Sequence, residues 1–536
     1  MKRPRTFILL IALAALSEIG LCHDSTRPDE NAKEGGPTGA SDQVCKLKIE
    51  LLDAASAESI PGMIRLLNEA GTPVGIPELL DRCIGLPRGA RKLGWHVLLE
   101  STEISAPREK LTVEAVSGLE YVRLMETLDL AGQEEQSCQL PLTRFWNAKE
   151  RGLVAGNTHL HLKDLSREEA DRYLQEVSRA DGLEVVFVSY LERAVVDRTY
   201  VTNQHSRDDL EQLSLKHLRF GNGQEYRHNF GGGGEGYGHV LFLDLRERIL
   251  PGSIGPGITG IGTDGTPLQS GIKQANDQEA TVVWCHNGFG FEDIPNWVEG
   301  LVQAQNIFDG GNRGSYEDTF YRYLNLGIRL PFSTGTDWFL YDYSRVYTRM
   351  EDEEVTASRW LGSFRNGRTF ITNGPLLEMN VNGVFPGEEL SAENSVKVQY
   401  RAVSRENFGK LELIQNGNVT SLSNPVGKKP GGWYESAGTI ELPIQGASWV
   451  ALRISPATSA KNEFGRQLFA HTSPVYVNTT AGEVIDPEVV VGLLEEIKAD
   501  LSAIREEGTF GSEEERKSVE QIYEEAIRKL RLRKKP

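Results

Sequence analysis

Gly156-Asn157-Thr158-His159-Leu160-His161-Leu162 is the stretch on which the reading of this chain turns. A short apolar approach, Leu153-Val154-Ala155, leads into it. On an extended strand, residues i and i+2 face the same side. His159 and His161 can therefore aim both imidazoles at one point, as a metal site requires. Taken alone, His-x-His is also what two polar residues at a strand end look like. The company downstream gives it weight, because seven of the ten histidines lie between His159 and His286.

Outward from this stretch, strand and helix patterns alternate. Ser166, with Glu169 three residues on, forms a capping box, and the helix it opens runs to about Ala180. Leu183 to Val188 reads as a buried strand. Thr281 to Trp284 reads as another and ends at Cys285-His286. Ile294 to Ala304 reads as a helix, and Leu330 to Gly335 leads a strand into Thr336-Asp337. Such alternation predicts an α/β layer or barrel over 151–376. In these folds ligands sit at the carboxyl ends of strands. His159, His161, His286 and Asp337 all occupy such ends, which points to one shared site.

Glu225 and His239 flank a glycine run and are plausible further ligands. That run lacks the Gly-Lys-Ser/Thr ending of a phosphate-cradling loop, so it is not read as a nucleotide site. His228 and Arg227 either support the ligands or face the substrate. Cys285 points away from His286 on a strand and reads as core. Arg345, in Ser344-Arg345-Val346-Tyr347, is a candidate for holding an anionic group by a bidentate contact, with an ordinary salt bridge as the equal alternative. Histidines combined with two carboxylates suit one or two divalent ions of the Zn, Mn or Fe type. No Gly-x-Ser-x-Gly and no His-Glu-x-x-His occurs, so serine-hydrolase and zincin readings lack their signatures.

The rest of the chain frames this core. Its 536 residues predict two to four domains. A net charge of -18 argues against binding nucleic acid or anionic membrane through bulk charge. Lys2, Arg3 and Arg5, followed by the apolar run Phe7 to Leu16, read as an export signal over 1–22 and a periplasmic or secreted destination. Residues 23–43 read as a polar linker. Strict charged-apolar alternation in Lys46 to Leu51 and again in Leu111 to Val116 predicts a β-sandwich over 44–150. A second β-sandwich is expected over 377–480, with turns at Asn382-Gly383 and Asn416-Gly417. A helical hairpin is expected over 481–536, with Val490, Leu494, Ile497, Leu501 and Ile504 as the stripe of its first helix. In an exported protein, two of Cys45, Cys83 and Cys138 can pair.

The successive motifs resemble those of the PHP-type metallohydrolases, the polymerase and histidinol phosphatase domain family. Gly156 to Leu162, Glu225 with His239, His286, and Gly335-Thr336-Asp337 carry that resemblance. Arg345-Val346-Tyr347, Trp360, and Arg365 through Thr372-Asn373-Gly374-Pro375 are similar to the CehA/McbA branch, and the resemblance covers roughly 152–387. It implies a distorted (β/α) PHP-like barrel, a metal cluster at the strand ends and hydrolysis of an ester or phosphoester. Two family positions differ. Ser189-Tyr190 stand where Asp-His is usual, and Phe339 stands where a histidine often follows the aspartate. His228, Glu192 or Asp197 are the candidates to substitute.

The function expected is an exported metal-dependent hydrolase using a metal-activated water. Its metal ligands would be His159, His161, Glu225, His239, His286 and Asp337. His228 or Arg345 would assist substrate or leaving group. The substrate would be a small molecule or glycan-derived, with no nucleic acid and no membrane span once the signal is removed. The alternative is a non-catalytic envelope or extracellular binding protein with a degenerate core, in which the six residues do not converge.

Overall fold

The computed structural model describes residues 44–86, 88–193, 195–229, 236–257, 262–286, 290–311, 314–351, 354–422, 426–457, 460–480 and 482–533. The expected export segment and linker lie outside these residues, as does the glycine run Gly231 to Gly234.

Charged-apolar alternation does what it predicts in the first region. Strand Val44–Asp53 turns Cys45, Leu47, Ile49 and Leu51 inward. It pairs antiparallel with Thr102–Pro107 and parallel with Glu135–Leu142. A second sheet is built around Gly62–Leu67 and Lys110–Val116. Ile64, Leu66 and Val113 of that sheet share one core with Leu47, Ile49 and Leu140 of the first.

The central region is a mixed α/β assembly with a curled sheet. Strand Leu153–His161 is buried at every position. The cause is its crowded surroundings. It pairs in parallel with Val185–Tyr190 and with Asp337–Trp338, and antiparallel with Arg345–Arg349. From Val185–Tyr190 the sheet runs through Arg219–His228, Gly238–Leu243, Thr281–Trp284, Ala304–Asn306 and Phe332–Ser333. Thr158 then donates its hydroxyl to Thr334 O (2.9 Å), and Thr336 N donates to His159 O (3.2 Å). The last strands thereby fold back onto the first.

Helices cover this sheet from outside. Arg167–Ala180 carries the expected capping box, with Ser166 and Glu169 satisfying each other's backbone N–H groups. It buries Tyr173, Leu174 and Val177 against Trp95 and Val97 of the first region. The helix expected over 294–304 is shorter, Asp293–Glu299. Gly300 ends it in the left-handed conformation (φ 73°), and Ala304–Asn306 is a strand instead.

The sheet does not stop at residue 376. Thr369–Thr372 pairs with Ala470–Thr472, which pairs with Ser448–Ile454. Much of 377–480 therefore extends the central sheet, while Leu376–Val381, Ser395–Ser404, Tyr434–Pro443 and Gly427–Lys428 form a separate four-stranded one. Both Asn-Gly pairs adopt two successive left-handed residues, Asn382/Gly383 at 52° and 85° and Asn416/Gly417 at 49° and 84°. That is the type I′ hairpin turn.

The chain closes with a helix pair, Pro487–Glu507 and Glu513–Arg533. Asp486 caps the first helix, and the whole predicted stripe is buried. The pair docks on the central region, where Lys529 meets Glu299 (2.7 Å) and Thr509 N donates to Asp264 Oδ2 (2.7 Å). Among the described residues, no helix is long and apolar enough to cross a membrane. Cys45, Cys83, Cys138 and Cys285 are buried free thiols, so the expected pairing among the first three does not form.

Candidate metal centre

The two motifs that bracket the site are zipped together by short polar side chains. Asn157 donates Nδ2–H to Thr336 Oγ1 (2.9 Å) and accepts the His159 backbone N–H on its own Oδ1 (2.9 Å). Phe339 N donates to His161 O (2.9 Å). A Cβ at Gly335 would come within 2.7 Å of His159 Cβ, so only glycine allows the two segments to approach this closely. A Cβ at Gly156 would meet the Trp360 ring at 2.6 Å. Trp360 in turn donates Nε1–H to Val154 O (3.2 Å).

His159 and His161 face one another through their Nε2 atoms, 2.8 Å apart. Their other nitrogens fix the tautomers. His161 Nδ1 donates to Ser189 O (2.8 Å), a pure acceptor. His159 Nδ1 donates to the Asp309 carboxylate, which Asn306 Nδ2 also supports (3.1 Å). Once neutral, as an incoming cation requires, both rings turn their Nε2 lone pairs toward the same small volume. Glu225 Oε2 lies 3.1 Å from His161 Nε2 and 3.6 Å from His159 Nε2. Asp337 Oδ1 lies 3.8 Å and 3.7 Å from the same two atoms.

Glu225 serves a second group with its other oxygen. Its Oε1 lies 3.6 Å from His239 Nδ1 and 3.7 Å from His286 Nε2. The donor atoms within each group, His159/His161/Glu225/Asp337 and Glu225/His239/His286, all lie within 4.8 Å of one another. Both groups match the ligand types of Zn, Mn or Fe sites.

Strand geometry explains the sharing. Arg227 and His239 are directly opposed in the antiparallel pairing of Arg219–His228 with Gly238–Leu243, so their side chains share a face. Glu225 is two residues from Arg227 and faces the same way. His286 and Asp337 are held in left-handed backbone, φ 55° and 59°. Each such non-glycine residue costs roughly 1–3 kcal/mol, and such strain concentrates at functional sites.

The electrostatics favour a cation. Burial works against charging His159, yet Asp309 and Glu225 prevail and hold its imidazole well above the usual range. His286 is raised in the same way, with Glu225 and Asp337 overcoming burial. Burial would lift Glu225, but hydrogen bonds from His159, His161 and His286 hold it well below the usual carboxylate range. Burial, then Arg227, keeps His239 well below its ordinary value, which leaves it neutral and able to ligate.

All six expected ligands meet here. The two expected helpers do not. His228 is three residues from Glu225 and faces the other side of the strand. Its Nδ1 accepts the Tyr237 backbone N–H (3.1 Å), and its Nε2 faces Asp264 Oδ1 (3.1 Å). Arg345 is buried away from the ligands, donating to Asp181 O (2.7 Å) and Tyr343 O (2.9 Å). Glu192 is bonded to Tyr190 and Arg198, and Asp197 to Arg193, so neither joins a ligand group. Ser189 contributes only its carbonyl, at the position where the family resemblance would place a ligand.

Sequence reasoning missed Asp309. It follows the three-residue strand Ala304–Asn306, too short to give a periodic signal. The rule that singles out Asp337, an acid just past a strand end, applies to Asp309 equally. No family model, no curated protein and no solved structure matches this chain.

Proposed function

We propose that this chain is an exported metal-dependent hydrolase that cleaves an ester or phosphoester bond. Its core would be the distorted (β/α) barrel that the PHP resemblance implies, with sandwich-like flanks. The observation that carries the reading is Glu225, one carboxylate with an oxygen in each of two ligand groups. Two imidazole nitrogens 2.8 Å apart, each ring fixed by a bond at its far nitrogen, have the spacing of neighbouring ligands to one ion. The second group offers three donors, fewer than the four of a closed structural site. A bound pair of divalent ions supplies water activation and charge stabilisation on the leaving oxygen.

The chain's own residues do the rest. Asp309 and Ser189 O hold the rings of His159 and His161 in register. Arg227, 3.4 Å from Glu225 Oε1, offsets part of the carboxylate charge. Trp338 lies beside His161, ring centroids 5.3 Å apart. Lys163 and Arg193 stand over its ring at 5.3 Å and 5.5 Å. Arg193 is paired with Asp197 and Lys163 lies 4.0 Å from Asp164, so this edge of the site carries nearly balanced charge. The non-catalytic alternative would gain if the six residues stood apart, and their grouping in two sets that share Glu225 supports the hydrolase reading.

Elemental analysis of the exported, mature protein tests the reading, with His161→Ala beside it. The expected result is one or two equivalents of Zn, Mn or Fe per chain and hydrolysis of p-nitrophenyl ester or phosphoester probes, both lost in the variant. A wild-type chain that binds no metal after reconstitution overturns it.

A further inference from the structure

A cleft of about 260 Å³ lies far from the metal ligands, between the central sheet and the four-stranded sheet. Leu153 and Arg349, opposed in the antiparallel pair, line one side. His159 and His161 lie six and eight residues further along the same strand. At about 3.3 Å per residue they are roughly 20 and 26 Å away. The other wall is Leu377, Met379 and Tyr400, all buried.

Four arginines reach this cleft: Arg151, Arg349, Arg368 and Arg401. Three have carboxylate partners. Arg151 Nε and Arg401 Nη1 both bond Glu378 Oε1 at 3.0 Å, and Arg401 also bonds Glu435 (3.2 Å). Arg368 bonds Glu351 and lies 3.6 Å from Glu388. Arg349 differs. Its guanidinium lies over the Phe385 ring at 3.9 Å, and no carboxylate among the described residues stands within 4.0 Å of it. Burial lowers its affinity for the proton. Glu388 and Glu378 oppose that from a distance, and Arg368 reinforces it. A half-buried arginine beside another cation is a costly arrangement that an incoming anion would relieve.

We propose that this cleft binds a small organic oxyanion, a carboxylate or phosphate group carried on a compact apolar or ring-shaped body. Arg349's planar fork, already oriented by Phe385, makes the bidentate contact. Arg368 is its neighbour across the sheet and adds the second cation. The apolar wall takes the body of the ligand. The volume admits about one ring, below the usual range for larger cofactors. This inference stands apart from the metal chemistry, since its residues and those of the metal centre do not overlap.

Titration calorimetry on the full chain tests it, with benzoate and the non-hydrolysable phenylphosphonate as probes and inorganic phosphate as control. Glu225→Gln is run in parallel to disable the metal centre. The expected result is saturable binding of at least one aromatic probe, tighter than inorganic phosphate. It is weakened at least tenfold in Arg349→Gln and unchanged in Glu225→Gln. Phe385→Leu reads the same cleft if Arg349→Gln does not fold, with weaker binding expected. No saturable binding, binding that survives both cleft variants, or binding lost in Glu225→Gln overturns the proposal. So does inorganic phosphate binding as tightly as phenylphosphonate, the mark of an adventitious ion only.

Discussion

Two of the buried charge clusters in this molecule are closed in opposite ways. In the first, Arg82 grips Asp181 through Nε (3.2 Å) and Nη2 (2.6 Å), and Arg345 holds the Asp181 carbonyl at 2.7 Å. Arg82 and Asp181 have no exposed side-chain surface. Every charge there meets an opposite charge or a carbonyl of the protein. In the second, Glu225, Asp309 and Asp337 converge on four imidazoles, and Arg227 is the permanent cation paired with Glu225. The carboxylate of the first cluster already has its cation. The second is complete only with added positive charge. Burial and shifted titration are common to both, so neither identifies a site. The sign of the residual charge does.

The largest expected effect breaks the second cluster at its shared member. Glu225→Gln should empty both ligand groups and lower hydrolysis about a thousandfold, roughly 4 kcal/mol of transition-state stabilisation. Elemental analysis and initial rates read this, and full metal occupancy in the variant would mean the carboxylate is not shared. Next comes the closed cluster. Asp181→Ala leaves Arg82 buried without its partner, at a cost of about 3–5 kcal/mol in denaturant unfolding. Metal per folded chain should stay at the wild-type value. A stable variant that had lost metal would erase the distinction between the clusters.

Glu292 sharpens the comparison as a buried carboxylate with no ion pair within 4.0 Å among the described residues, Lys273 acting on it only from a distance. It accepts N–H groups from Leu268 (3.0 Å) and Gln269 (2.7 Å) at a helix start. Burial nonetheless pushes its carboxyl from 4.5 to about 7. Between those values the unfolded chain ionises while the folded chain keeps its proton. Stability therefore falls as pH rises through that window. Relative to Glu292→Gln, the wild type should lose about 3 kcal/mol across it, read by unfolding at each pH. The smallest effect is at a support. Asp309→Asn leaves all six ligands but loosens the His159 ring, so metal affinity should drop roughly 10–100-fold with little change in melting temperature.

Much of this is legible in the amino-acid sequence alone. Strand-end reasoning brings the candidate ligands His159, His161, His286 and Asp337 together, because i, i+2 geometry and buried apolar runs are local signals. The capping box at Ser166 and the stripe on Pro487–Glu507 are local too, and both hold. What the sequence hides is non-local. Nothing near Arg345 in sequence says that its partner is Asp181, 164 positions away. His228 reads as a helper because it is near Glu225 in sequence, yet a separation of three on a strand means opposite faces. The continuation of the sheet past residue 376 depends on Thr369–Thr372 finding Ala470–Thr472, a pairing that no periodicity announces.

That last pairing also sets an order in time. Thr369–Thr372 lies between Arg345–Arg349 on one side and Ala470–Thr472 on the other, so one of its edges stays open until the chain beyond 472 exists. The strand carrying His159 and His161 likewise waits for Asp337–Trp338. Pairings this distant close slowly, and an open strand edge invites pairing with another chain meanwhile. A ribosome delivers Asp337 more than a hundred residues before the strand that covers this edge. The vulnerable interval for this protein therefore falls between those two points of its making, and holding the chain unfolded until residue 472 has emerged would shorten that interval.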